Sequence, residues 1–165
     1  MSTFDEIVGT LDGQGQRFGL VASRYYEDLM ERMVKDAIRC LEHHGGAKED
    51  VTLVRVPGAW EIPGALAALA ETGRYDALVA LGIVIRGETT HYDYVCSRAN
   101  DGCGRVADRA GLPVGFGVLT CEDGEQAAVR AEGPRGKGWE AALAALEMSN
   151  LYRRIREMDP YGAAW

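Results

Sequence analysis

No stretch of this chain is apolar for long enough to cross a bilayer. The longest uncharged apolar run, from Ala77 to Ile85, falls far short of the ~20 residues a membrane helix needs. No apolar segment follows the acidic start MSTFDEIVG, so no secretory signal is read and a cytoplasmic location is expected. Positive charge is in deficit: 18 Lys and Arg stand against 25 Asp and Glu, a net charge of −7. Nonspecific nucleic-acid binding, which needs clustered Lys and Arg, is thereby excluded, although one or two basic groups in a pocket would still hold an anion. No C-x-x-C pair occurs among Cys40, Cys96, Cys103 and Cys121, so the cysteines read as small buried hydrophobes, with no metal and no disulfide. There is no internal repeat, low-complexity segment or interdomain linker. Two glycine-rich stretches fail as nucleotide loops. GPRGKG has Gly138 where a phosphate loop needs Ser or Thr, and GQGQRF has Phe18 at its last glycine position and precedes its strand. Neither ATP nor NAD is expected.

What is present suits one ordinary globular domain of 165 residues, with 47% apolar and 26% charged residues. Residues 1–16 read as an N-terminal arm, 17–158 as a single domain and 159–165 as a frayed tail. Apolar runs place strands over 18–22, 51–56, 77–85 and 113–119. Period-3.6 stripes place helices over 27–44, 63–71, 90–110, 122–131 and 137–157, with Gly45, Gly46 and Gly73 as stops. Strands alternating with helices imply an α/β fold, a three-layer α-β-α sandwich around a parallel sheet with right-handed crossovers. The run 77–85 shows no alternation, as a central strand buried on both faces should.

Ligands of open α/β sheets bind at the carboxyl ends of the strands. Four strand-to-helix turns therefore share one rim: Ser23 to Tyr26, Pro57 to Pro63, Arg86 to His91 and Thr120 to Gly124. In the first turn, Tyr25 or Tyr26 offers a flat face to a heterocycle, or simply covers the helix start. In the second, two prolines and a glycine fix the backbone around Glu61, a carboxylate for a polar ligand or a charge complementing a helix dipole. In the third, Thr89 or Thr90 caps a helix whose free N–H groups suit an anion. His91 stands beside them, and an imidazole is the side chain best suited to proton transfer near neutral pH. His43 and His44, at a helix C-terminus, are assigned no chemistry. Arg130 lies on a helix otherwise carrying Ala127, Ala128 and Val129.

The segments VPGAWEIP, GIVIRGETTHYDYV, PVGFGVLTCEDGEQAAVR and GKGWEAALAALEM, in this order, resemble the motifs VPGAxEIP, GxVIRGxTxHxxYV, PVxFGVLTxxxxEQAxxR and NKGxEAAxxAxEM of the 6,7-dimethyl-8-ribityllumazine synthases. The resemblance runs from about Phe18 to Arg154 and implies a flavodoxin-like sheet. It implies a transferase that joins 5-amino-6-(D-ribitylamino)uracil to 3,4-dihydroxy-2-butanone 4-phosphate in riboflavin biosynthesis, without a cofactor. On the matching positions it implies His91 as catalytic histidine and Tyr25 as the aromatic stacked on the pyrimidine. Ala59, Trp60 and Glu61 would then hold the ribityl chain, Ile83, Val84 and Ile85 the ring, and Glu88 and Thr89 the phosphate. Phe116 and Arg130 match an aromatic wall and a phosphate anchor usually supplied by a neighbouring subunit, and Lys137 a lysine near the same anion. The resemblance further implies a homo-oligomer, a pentamer or a sixty-subunit icosahedral shell, with riboflavin synthase a candidate partner. Tyr26 and Ser97 stand where the family commonly has Asn, and the turn before Lys137 is one residue short and lacks the Asn of NKG. Two rival readings are a catalytically weak flavin- or lumazine-binding or shell-forming paralogue, and an unrelated phosphate-ligand binder complete in one chain.

Overall fold

A strand without polar alternation is stable only when both faces are covered, and β3 (Ala77–Ile85) is buried along nearly its whole length. In the computed structural model, which describes residues 4–133 and 136–158, it pairs with β1 (Phe18–Ser23) on one side and β4 (Val114–Cys121) on the other. β2 (Val51–Val56) lies outside β1, so the order is β2-β1-β3-β4 and every pairing is parallel. The expected parallel three-layer sandwich is therefore found. Alternate residues of β3 feed two cores. Ala77, Val79, Leu81 and Ile83 face α1 (Glu27–His43), α4 (Gly124–Ala131) and α5 (Lys137–Glu157). Leu78, Ala80 and Val84 face α2 (Ile62–Glu71) and α3 (His91–Ala110).

The helices form where the stripes predicted. In α1, Met30, Met33, Val34, Ala37 and Leu41 are buried, and the helix ends where Gly45 takes φ +89° and Gly46 N–H donates to Leu41 O at 2.9 Å. Gly111, at φ +59°, ends α3 in the same left-handed conformation. Two boundaries differ from expectation by two residues. β4 runs on through Thr120 and Cys121 because its ladder with β3 extends to Ile85. α4 starts at Gly124 rather than 122, because the Asp123 carboxylate accepts Gln126 N–H at 2.8 Å as N-cap while the Gln126 side chain accepts Glu122 N–H at 2.9 Å.

Residues 12–16, read as loop, are strand-free but tied down. Gln16 is buried; its Nε2 donates to Asn150 Oδ1 at 2.9 Å and to Asp12 O at 2.7 Å, and its Oε1 accepts from Ser149 Oγ at 2.5 Å. Asn150 Nδ2 donates in turn to the Thr10 and Asp12 carbonyls. This satisfied polar network fastens the N-terminal segment along α5. The cysteines are free. Cys40, Cys103 and Cys121 are buried and Cys96 half-buried, and burial pushes the Cys40 and Cys103 thiols up to about 12. Residues 159–165, expected as a tail, lie outside the described residues.

Candidate active site

Pairing of β1 with β3 stops at Ala22–Leu81, while pairing of β3 with β4 continues to Ile85–Cys121. β1 ends at Ser23, level with Gly82, so β3 overshoots it by about three residues, or ~10 Å at the rise of a strand. This leaves a step above the end of β1, walled by Ile83, Val84 and Ile85. It lies between β1 and β3, where the chain switches from one side of the sheet to the other, which is the usual ligand crevice of such folds.

Two turns roof the step. Tyr25 is exposed, and its ring closes on the second turn: a Cβ at Gly58 would stand 3.2 Å from Tyr25 Cε2. A side chain at that position would press on the exposed ring. Tyr26 has a left-handed backbone, at φ +61°. In the second turn, Glu61 Oε2 accepts Gly58 N–H at 2.9 Å. Of the two readings of Glu61, the structure thus shows its carboxylate engaged at a helix start, completing the 3-10 turn Ala59–Glu61 that leads into α2. Trp60 is half-exposed with the Arg98 guanidinium 5.6 Å from its ring centroid, and Ala59 is buried. At Gly82, just below the step, a Cβ would meet Ile62 Cδ1 at 3.0 Å and Ser23 Oγ at 3.4 Å, so the first turn, the second turn and β3 converge on one glycine.

The third turn, from Arg86 to Thr90, is exposed and carries Glu88, Thr89 and then His91 as the first residue of α3. Of the two threonines, Thr89 acts at the helix start, accepting His91 N–H at 3.3 Å. Thr90 occupies the cap position in helical backbone and makes no side-chain cap. The His91 imidazole is exposed beside these N–H groups. Sequence reasoning did not assign Arg86. Its Nε donates to Glu122 Oε2 at 2.8 Å, its Nη1 to Asp93 Oδ1 at 3.4 Å, and its guanidinium lies 4.2 Å from the Tyr92 ring centroid. Burial pushes the Tyr92 phenol above its ordinary value, so it stays protonated at neutral pH.

A family model described as 6,7-dimethyl-8-ribityllumazine synthase matches residues 15–153. The chain belongs to the 6,7-dimethyl-8-ribityllumazine synthase family. It is 48% identical to the 6,7-dimethyl-8-ribityllumazine synthase of Aquifex aeolicus over 149 residues, covering 90% of this chain and 97% of that protein. It is 47% identical to that of Desulfovibrio desulfuricans over 156 residues, covering 94% and 100%, and 44% identical to that of Chlorobaculum tepidum over 150 residues, covering 90% and 97%.

Within this lumazine synthase fold, three of the candidate residues stand outside the turns beside the step. Phe116 pairs with Ala80, five residues before Ile85. It therefore sits ~16 Å down the strand, beyond the reach of its ring to the rim, and it is 37% exposed on the sheet edge. Arg130 is exposed in the last turn of α4, its Nη1 donating to Gln126 O at 3.1 Å. Lys137 opens α5 and pairs locally with Glu140 at 2.9 Å. All three belong to the segment from β4 to α5, whose strand β4 lies on the far side of β3 from β1. One chain thus brings Tyr25, the Ala59–Glu61 turn, Ile83 to Ile85, Glu88, Thr89 and His91 to one rim, while Phe116 lies down the β4 edge and Arg130 and Lys137 stand on α4 and α5.

Proposed function

We propose that this protein condenses 5-amino-6-(D-ribitylamino)uracil with 3,4-dihydroxy-2-butanone 4-phosphate to give 6,7-dimethyl-8-ribityllumazine, phosphate and water. The observation that carries the reading is the step at the β1/β3 switch point of a chain in this family, flanked by an aromatic turn and by an anion-ready helix start. The pyrimidine ring lies against Ile83, Val84 and Ile85 under Tyr25, and the ribityl hydroxyls meet the main chain of Ala59, Trp60 and Glu61. The phosphate faces the peptide N–H groups after Gly87. At Glu88 the useful donor is the main chain, since the carboxylate itself would repel a phosphate. Thr89 adds a hydroxyl.

The substrate amine attacks the ketone and water leaves; phosphate is then eliminated, and the second nitrogen closes the ring onto the remaining carbonyl with loss of a second water. Each step moves a proton, and His91 stands exposed where it can take and return one. Holding two reactants together accounts for much of the rate, with ~7–11 kcal/mol available from proximity and orientation.

The site is completed by a neighbouring subunit, which supplies Phe116, Arg130 and Lys137. The exposure of Phe116 and Arg130 on the β4 side supports this. A cytoplasmic pentamer is the assembly we infer, with a sixty-subunit shell and association with riboflavin synthase as its larger forms. The deciding experiment mixes the two substrates with purified protein and follows the lumazine by its fluorescence. Product formation above the uncatalysed rate is expected, and its absence would overturn the assignment.

A further inference from the structure

Arg86 belongs to the sheet and to the third turn at once. Its N–H donates to Cys121 O at 2.9 Å, one residue beyond the end of β3. Its side chain then reaches sideways to Glu122 on the β4–α4 turn and forward to Asp93 in the first turn of α3, and it stacks over Tyr92. Beside this contact the Tyr92 side chain hydrogen-bonds to Thr120 at the end of β4, so Arg86 and the ring beneath it join the start of α3 to the fourth turn together. Between Arg86 and α3, the only side-chain hydrogen bond within the turn is that of Thr89 to His91 N–H. The N–H groups of Gly87, Glu88 and Thr89, and the His91 ring, hang between these two points. With two carboxylates around it, the Arg86 guanidinium is already neutralised and is no free cation for substrate phosphate, in contrast to Arg130.

We propose that Arg86 is a positioning residue, its guanidinium stapling the start of α3 to the β4–α4 turn so that the anion-binding N–H groups and His91 keep a fixed geometry before substrate arrives. This rests on the reading of the third turn as the phosphate site. The planar fork matters as well as the charge, because it bonds Glu122 and Asp93 with its central carbon 4.2 Å from the Tyr92 ring centroid.

The test compares Arg86→Gln, Arg86→Lys and the double variant Arg86→Gln/Glu122→Gln with the parent protein. For Arg86→Gln, kcat/KM for the phosphate substrate falls about ten- to a hundredfold, the scale set by ~1 Å misplacement at a site, while KM for the pyrimidine holds. The lysine variant keeps the charge without the fork and falls in between. The double variant stays impaired, because removing the unpaired carboxylate does not restore the staple. Recovery of wild-type KM in the double variant would mean that Arg86 only screens Glu122, and the proposal fails. Hydrogen exchange on the substrate-free assemblies gives a readout independent of turnover. The amides of Gly87 to Tyr92 exchange faster in Arg86→Gln, and unchanged exchange there overturns the proposal even if the chemistry proves to be something else.

Discussion

Tyr26 is the one non-glycine residue among those described with a left-handed backbone, at φ +61° and ψ 56°. An L-residue with a Cβ pays about 1–2 kcal/mol for that conformation, and Asn tolerates it better because its short side chain bonds locally. The family resemblance places Asn at this position, so the departure falls where the backbone is strained. Tyr26→Asn is expected to stabilise the protein by ~0.5–1 kcal/mol, a rise of about 2–4 °C in melting temperature at fixed protein concentration. A lower melting temperature would show that contacts of the half-exposed Tyr26 ring outweigh the strain. The buried thiols carry a second prediction. Folding raises the Cys40 and Cys103 thiols from 9.0 to about 12 by desolvation. Between those values the unfolded chain has released protons that the folded chain still holds. Their contribution to stability is therefore fully present below pH 9 and is lost as pH rises toward 12, by roughly 1.4 kcal/mol per pH unit for each thiol. Urea titrations at pH 8, 9 and 10 should show a shallower alkaline decline in Cys40→Ala/Cys103→Ala than in the parent, and equal slopes would refute the origin assigned to it.

At the scale of elements, the helix layers are held by glycines that no periodicity argument selects. A Cβ at Gly138 would lie 2.1 Å from the Met33 carbonyl, and one at Gly115 would lie 2.1 Å from the Ala141 carbonyl. α1 and β4 thus meet α5 backbone to backbone. Gly138→Ala must push α5 off α1 and should cost ~2 kcal/mol or more, at the upper end of overpacking. Gly104→Ala, where nothing lies within 4 Å, should gain up to ~1 kcal/mol of helix propensity. Denaturant midpoints for the pair check this, and similar midpoints would contradict the contact. Every strand and helix was legible, because each depends on local period and local stops such as Gly45 and Gly73. The elements of the site were legible for the same reason: parallel strands carry their following turns to one rim. What could not be read depends on pairs far apart in sequence. The step needs the register of β3 against β1, the Tyr25 ring needs Gly58 beside it, and the polar network of Gln16 with Ser149 and Asn150 spans most of the chain. The pairing of Arg86 with Glu122 crosses from one strand end to the next and leaves no motif.

The whole molecule raises the question of where a complete site exists. His91 and the step belong to one chain, whereas Arg130 and Phe116 of that chain lie on its β4 side. If the second subunit supplies them, the two halves can be inactivated separately and rebuilt by mixing. His91→Ala alone should lower kcat by ~10²–10⁴-fold, the usual value of general acid–base help. Arg130→Ala alone should raise KM for the phosphate substrate, since a charge-assisted hydrogen bond contributes roughly 1.5–3 kcal/mol. Both residues are exposed, so both variants should keep the parent melting temperature. Dissociated together and reassembled in equal amounts, they form rings with random neighbours. About a quarter of the shared sites then pair an intact His91 with an intact Arg130, as heterologous interfaces allow. Activity should therefore recover toward a quarter of the parent value, well above the sum of the two variants. If each site is complete within one chain, mixing restores nothing, because every site lacks one group or the other. Failure to recover, with mixed assemblies verified by native mass, would return Arg130 to its own chain's rim and remove the neighbour from the mechanism.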